Sequence, residues 1–168
     1  QIMIPKKYQK HYVEKIVYLP SFQVNDSKDL PPDITLTRKD IGLPEEGFVF
    51  CCFNQIYKIT PSVLDSWVRI LKQVKDSLFI IFSDNEVVER NLTTEFIKRG
   101  FDHKRIIFTA KLDRPSYMAR YRVVDLFLDT SPCNAGTTAS DALKMGVPLI
   151  TIKGKSFNSR EAASILTS

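Results

Sequence analysis

Several common kinds of site have no residues to build them here. The chain has 168 residues but only three cysteines and two histidines. Cys51 and Cys52 are adjacent, and Cys133 stands alone. No Cys-x-x-Cys or His cluster exists, which excludes a zinc-ribbon or thioredoxin-like site. Neighbouring cysteines on a strand point to opposite faces, so the three read as buried thiols of a reducing cytosol rather than a disulfide framework. No apolar run approaches the roughly 18 residues that a membrane span needs. The start, with Lys6, Lys7 and Lys10, lacks the apolar stretch of a signal peptide. There is no Gly-x-Ser-x-Gly, no Walker loop, no metal-ligand spacing and no Asp-x-Asp pair. His11 and His103 stand in no catalytic context, so the chain offers no evident general base.

What is present is an apolar core and a mild positive charge. Hydrophobic residues make up 43% of the chain, and the formal net charge is +5. The basic residues are dispersed and no Arg/Lys stripe alternates with aromatics, so the charge reads as solvated faces rather than a nucleic-acid surface.

Residues 1–45 read as an irregular arm or linker, punctuated by Pro20, Asn25-Asp26, Pro31-Pro32 and Pro44. From residue 46 to 168 the pattern is regular. Strands are expected over Phe48–Phe53, Leu78–Phe82, Arg105–Phe108, Asp125–Leu128 and Pro148–Ile152. Helices are expected over Ser62–Val74, Glu86–Arg99, from Asp113 with Pro115 in the first turn, and over Thr137–Met145. Asn158 with Glu161 reads as a capping box for a last helix. That helix has no stop signal at Ser168, so the chain reads as a piece of something longer. Short, nearly all-apolar strands alternating with helices give a parallel α/β sheet.

In such sheets, ligands sit beyond the carboxyl ends of the strands. Three loops there are polar. The most telling is Asp129-Thr-Ser-Pro-Cys-Asn-Ala-Gly-Thr-Thr-Ala-Ser-Asp141, where a strand runs through small residues into a helix start. Free amides and the positive end of the helix dipole suit a diphosphate. A threonine N-cap accounts for the same residues. Lys58, just past the first strand, suits a phosphate counter-charge or a surface lysine. Arg114, Tyr117 and Arg120 suit a base and ribose or an ordinary solvated face. Asp141 reaches a ribose hydroxyl or simply favours the helix start, and Asp129 pins its loop.

Three stretches resemble the catalytic half of the protein O-linked N-acetylglucosamine transferases, the bacterial relatives in particular. They are Cys52-Phe-Asn-Gln-Ile-Tyr-Lys-Ile-Thr-Pro61, Asp125-Leu-Phe-Leu-Asp-Thr130 and Asn134-Ala-Gly-Thr-Thr-Ala-Ser-Asp-Ala-Leu143. Gly146-Val-Pro148, Ser159-Arg160 and Ala162-Ala163-Ser164 continue the likeness. Tyr12-Val-Glu-Lys-Ile-Val-Tyr-Leu-Pro20 resembles the end of the family's preceding lobe.

The resemblance implies a Rossmann-like parallel sheet with helices on both faces, the nucleotide-binding C-terminal lobe of a GT-B glycosyltransferase. It implies inverting, metal-independent transfer of N-acetylglucosamine from UDP-GlcNAc to Ser or Thr of proteins, with no cofactor, in the cytoplasm. By resemblance, Lys58 is catalytic and stabilises the departing diphosphate. Gln55 contacts the donor, Thr137 and Thr138 the phosphates, and Asp141 the ribose. Tyr57 and Leu112, in the same loops as Gln55 and Arg114, complete the donor-contacting set. Tyr117 stands where the animal enzyme stacks a His on uracil. Arg114 replaces a ribose-contacting Lys, Arg120 matches an Arg near the base, and Gly136 replaces a His beside the phosphates and sugar.

A plant-type branch with GDP-fucose as donor also resembles the chain. A lobe serving polysaccharide or small-glycoside synthesis, and a non-catalytic binding module, are the alternatives. The family's upstream lobe, tetratricopeptide repeats and acceptor-binding residues have no counterpart here. By itself the chain is expected to bind nucleotide without turnover, and a protein acceptor would be met through those other parts.

Overall fold

A computed structural model describes residues 2–20 and 33–168. The Asn25-Asp26 and Pro31-Pro32 turns expected in the arm lie outside them. Five parallel strands form one sheet: β1 Val49–Cys52, β2 Leu78–Phe82, β3 Ile106–Thr109, β4 Leu126–Leu128 and β5 Leu149–Ile150. Their spatial order is β3-β2-β1-β4-β5. Every residue of β1, the middle strand, is buried, which is why its sequence shows no polar alternation.

Helices α1 Pro61–Gln73, α2 Glu86–Lys98, α3 Arg114–Ala119, α4 Thr137–Lys144 and α5 Glu161–Ile165 connect or follow the strands. The start of α1 is set by Thr60, whose hydroxyl accepts from the Val63 N–H, with Pro61 in the first turn. The start of α2 is set by Asn85, whose side chain accepts from the Val87 and Val88 amides. Trp67 of α1 and Phe96 of α2 both meet Phe79 of β2 edge-on, at ring-centroid distances of 5.0 and 6.4 Å. These two helices therefore cover one face. Right-handed crossovers that step the other way, from β4 to β5, put α4 on the opposite face.

The sheet's direction of growth reverses between β1 and β4, which pair directly. That reversal opens a crevice above their carboxyl ends. The amino ends are tied shut. Arg38 ion-pairs with Asp125 at 2.7 Å and donates to the Gly47 carbonyl at 2.7 Å, while Asp125 accepts from the Val49 N–H at 2.7 Å.

Three details differ from the sequence reading. Strand β5 stops at Ile150, and just beyond it the Thr151 hydroxyl donates to Asp129 at 2.6 Å. The capping box of Asn158 and Glu161 does not form. Arg160 occupies the cap position, no side chain caps α5 and Glu161 is the first helical residue; the Asn158 backbone carbonyl accepts from the Asn134 N–H at 2.9 Å. The first part of the arm is a 3-10 turn, Lys6–His11, packed on the domain. Arg160 donates from Nε to the Met3 carbonyl at 2.8 Å and lies over the Tyr8 ring at 5.2 Å.

Candidate active site

The crevice is organised by buried polar groups below its floor. Asp129, at the end of β4, is almost wholly buried. Its Oδ1 accepts from the amides of Thr130 and Ala135, each at 2.7 Å, and from Asn54 Nδ2 at 3.0 Å; its Oδ2 accepts from Thr151. Burial raises its pKa, and these four donors pull against that rise. Asp129 thus does pin the loop, as its position suggested. The same loop carries a cis Ser131–Pro132 bond.

Asn54 links this anchor to the helix above. A carboxylate only accepts, so the Asn54 amide must turn its NH2 to Asp129 and to the Thr130 hydroxyl at 2.8 Å. Its carbonyl oxygen then faces Thr138 and accepts a hydrogen bond from the hydroxyl. Gly136, not a threonine, is the residue before α4, and no side chain caps that helix. The threonine N-cap alternative therefore falls away. The first amides of α4 thus have no side-chain acceptor and stand at the positive end of its dipole.

Lys58 reaches the same place from the turn Ile56–Lys58 after β1. Its Nζ donates to the Asn134 carbonyl at 2.8 Å, within the loop that leads into α4. Asn134 is fully buried and is fixed by bonds from Nδ2 to Thr130 and from its N–H to Asn158. Lys58 is thereby held against the loop that leads into α4 rather than out in water. Tyr57, its neighbour, is 79% exposed.

The other wall is aromatic and cationic. The guanidinium groups of Arg114 and Arg120 lie 5.4 and 5.0 Å from the Tyr117 ring centre. The solvated-face reading fails for Arg120, which is 3% exposed and lies 4.0 Å over Phe53. It donates to the Thr109 hydroxyl and the Ala110 carbonyl, and its Nε has no partner. Burial lowers its pKa. Tyr117 turns its hydroxyl to Tyr121 at 2.8 Å, and burial pushes its phenol pKa up.

A cavity of about 310 Å³ opens between these groups, lined by Gln55, Leu112, Tyr117, Arg120 and Thr138 among others. A smaller one of about 170 Å³ lies between α1 and the β5 edge, against Trp67 and Ile150. Arg114 and Asp141 turn to each other. The guanidinium makes a two-pronged pair at 2.8 and 2.9 Å with the buried carboxylate. The cavity thus brings together Gln55, Leu112, Tyr117, Arg120 and Thr138; Arg114 joins them through the Tyr117 ring and carries Asp141 with it, while Lys58 and Gly136 lie at the loop that enters α4. Thr137 sits at the exposed lip of the crevice.

Three residues were not singled out from sequence as site residues. Asn54 and Asn134 are buried amides, and their signal was an Asn directly after an apolar strand and an Asn within the small-residue loop. Glu161, assigned to a cap, stands against Gly136. Cys51 and Cys52 are buried, with thiol pKa values pushed up by desolvation, so neither is a nucleophile at neutral pH. Among the described residues, no group of three His, Cys, Asp or Glu side chains is placed to hold a metal.

A parallel sheet with its order reversal, a bare helix start and an aromatic-cationic wall define a nucleotide-binding Rossmann-like lobe of the GT-B glycosyltransferase kind. The comparisons make this specific: the chain belongs to glycosyl transferase family 41, whose family model matches residues 21–168. The SEC protein of Arabidopsis thaliana is 36% identical over 171 residues, covering 98% of this chain and 18% of that protein. A UDP-N-acetylglucosamine–peptide N-acetylglucosaminyltransferase of Caenorhabditis elegans is 36% identical over 140 residues, covering 83% of this chain and 12% of that one. A mutant Thermobaculum terrenum O-GlcNAc transferase superposes with a TM-score of 0.84 at 31% identity, over 99% of this chain and 31% of that chain. The chain thus spans under a fifth of these two curated relatives. No helix among the described residues is long and apolar enough to cross a membrane.

Proposed function

We propose that this lobe binds the donor in an inverting, metal-independent transfer of N-acetylglucosamine from UDP-GlcNAc to Ser or Thr of acceptor proteins. The observation that carries the reading is the convergence of Lys58 with the uncapped start of α4 through Asn134. When the bond from sugar to phosphate breaks, negative charge grows on the leaving diphosphate. A fixed ammonium and a row of helix amides stabilise that charge where it develops, which is the service a metal gives in other transferases. Arg120 and Tyr117 supply a flat, cationic surface for the base, and the Arg114–Asp141 pair lies beside the ribose.

The two histidines support no general-base role on this chain. His103 precedes β3, at the amino ends of the strands, and His11 lies in the exposed N-terminal turn. The proton from the acceptor hydroxyl is accordingly taken up elsewhere, and the acceptor is met through a second lobe and the tetratricopeptide repeats of the full-length protein. The free thiols, Cys51 and Cys52 buried and Cys133 half-buried rather than buried as expected, favour the cytoplasm.

The test is Lys58→Ala in the full-length protein. Its kcat should fall by about 100-fold or more, the scale on which transition-state charge stabilisers act. Unchanged transfer refutes the role of Lys58. Calorimetry with UDP and GDP checks the nucleotide: UDP should bind, and GDP binding in its place would put the chain with the GDP-fucose branch.

A further inference from the structure

The phosphate side of the crevice holds a carboxylate that the donor reading leaves without work. Glu161 is the first residue of α5 and is half-buried. Its Oε2 lies 3.3 Å from the point where a β-carbon on Gly136 would sit. A β-carbon at 136 would crowd this carboxylate, so the glycine keeps the space between it and the start of α4 open. The charged groups that act on Glu161 are the Lys58 ammonium, which favours its ionised form, and Asp129, which opposes it; burial raises its pKa more than either. Among the described residues, no hydrogen bond engages its side chain.

An acceptor-only anion beside a phosphate loop repels the diphosphate unless hydrogen-bond donors stand between them. In a nucleotide sugar, the group just beyond the second phosphate is the sugar ring, whose free hydroxyls are such donors. Glu161 makes no capping hydrogen bond at α5; its competing role is that of a first-turn carboxylate favoured by the helix dipole.

We propose that Glu161 determines sugar specificity by accepting ring hydroxyls of the transferred hexose, in the space that Gly136 leaves open. The proposal rests on the donor-site reading above.

The experiment is calorimetry on the full-length protein with UDP, UDP-GlcNAc, and UDP-GlcNAc deoxygenated in turn at the 3, 4 and 6 positions. Wild type is compared with Glu161→Ala and Glu161→Gln. Glu161→Ala should weaken UDP-GlcNAc by about 10-fold or more, the scale of a hydrogen bond to a charged group. Its UDP affinity should stay within about 2-fold. At least one deoxy analogue should bind wild type more weakly than UDP-GlcNAc does, yet show no such loss against Glu161→Ala. Glu161→Gln, which keeps an acceptor, should fall between the two. An equal loss for UDP and UDP-GlcNAc overturns the assignment in favour of a structural role at the start of α5. Identical sugar affinity in wild type and Glu161→Ala also overturns it, with the donor site intact. Wild type that binds neither nucleotide nor sugar nucleotide overturns the donor site and the proposal together.

Discussion

Asn54→Asp changes one atom's chemistry at nearly constant shape, and its consequence can be worked out in advance. Asn54 Nδ2 stands 3.0 Å from Asp129 Oδ1. The substitution turns that donor into a second carboxylate oxygen and leaves the acceptor for Thr138 in place. At 3.0 Å two unit charges repel by about 5.5 kcal/mol at an effective dielectric of about 20. Keeping one proton on a carboxyl of ordinary pKa near 4 costs about 4 kcal/mol at pH 7, at about 1.4 kcal/mol per pH unit. Protonation is the cheaper course, so the folded variant holds one shared proton that the unfolded chain releases. Between about pH 4 and pH 7 the native variant then binds more protons than its unfolded state, and its stability falls as pH rises. Urea denaturation of variant and wild type at pH 4, 5, 6 and 7 measures this. The deficit should be small at pH 4 and grow to about 4 kcal/mol at pH 7. A deficit that is flat with pH, or none at pH 7, would refute the Asn54–Asp129 bond and with it the assigned direction of the Thr138 hydroxyl.

Two further outcomes bear on the core and the base wall. Arg120→Met should leave urea stability unchanged or slightly higher, because a buried guanidinium with an orphaned Nε and no carboxylate partner gives way to an apolar chain. The same variant should bind UDP about 10-fold more weakly, as expected for loss of a charge-assisted contact; intact UDP binding counts against Arg120 at the base. Trp67→Ala, at a side chain 2% exposed against Phe79, should cost about 3–5 kcal/mol in urea denaturation. A loss under about 1 kcal/mol would mean that α1 does not close this face of the sheet.

The elements were legible because their signals are local. Leu78–Phe82 reads as a strand from its unbroken apolar run, and Asp113 caps α3 as its position before Pro115 suggests. The three polar loops were legible because a parallel sheet sends its loops of that kind to one end. Misreadings arose where a tertiary contact overruled a local pattern. Asn158 and Glu161 have capping-box spacing, but α5 starts two residues later than that spacing needs, with Arg160 at the cap and its side chain drawn away to the Met3 carbonyl. Arg120 reads as a surface arginine until Phe53 and Tyr117 enclose it. Nothing in the sequence pairs Arg114 with Asp141, 27 residues apart across two loops. Periodicity reports which face is buried; it carries no record of which charged groups meet above the strands.

Arg160 sets a mechanical condition on the site. Its side chain bridges 157 positions of chain to the Met3 carbonyl, and its backbone is the one immediately before Glu161. The segment of residues 2–11 and the first turn of α5 are therefore a single strut. The residue that holds this segment is thus the covalent neighbour of the carboxylate that faces Gly136.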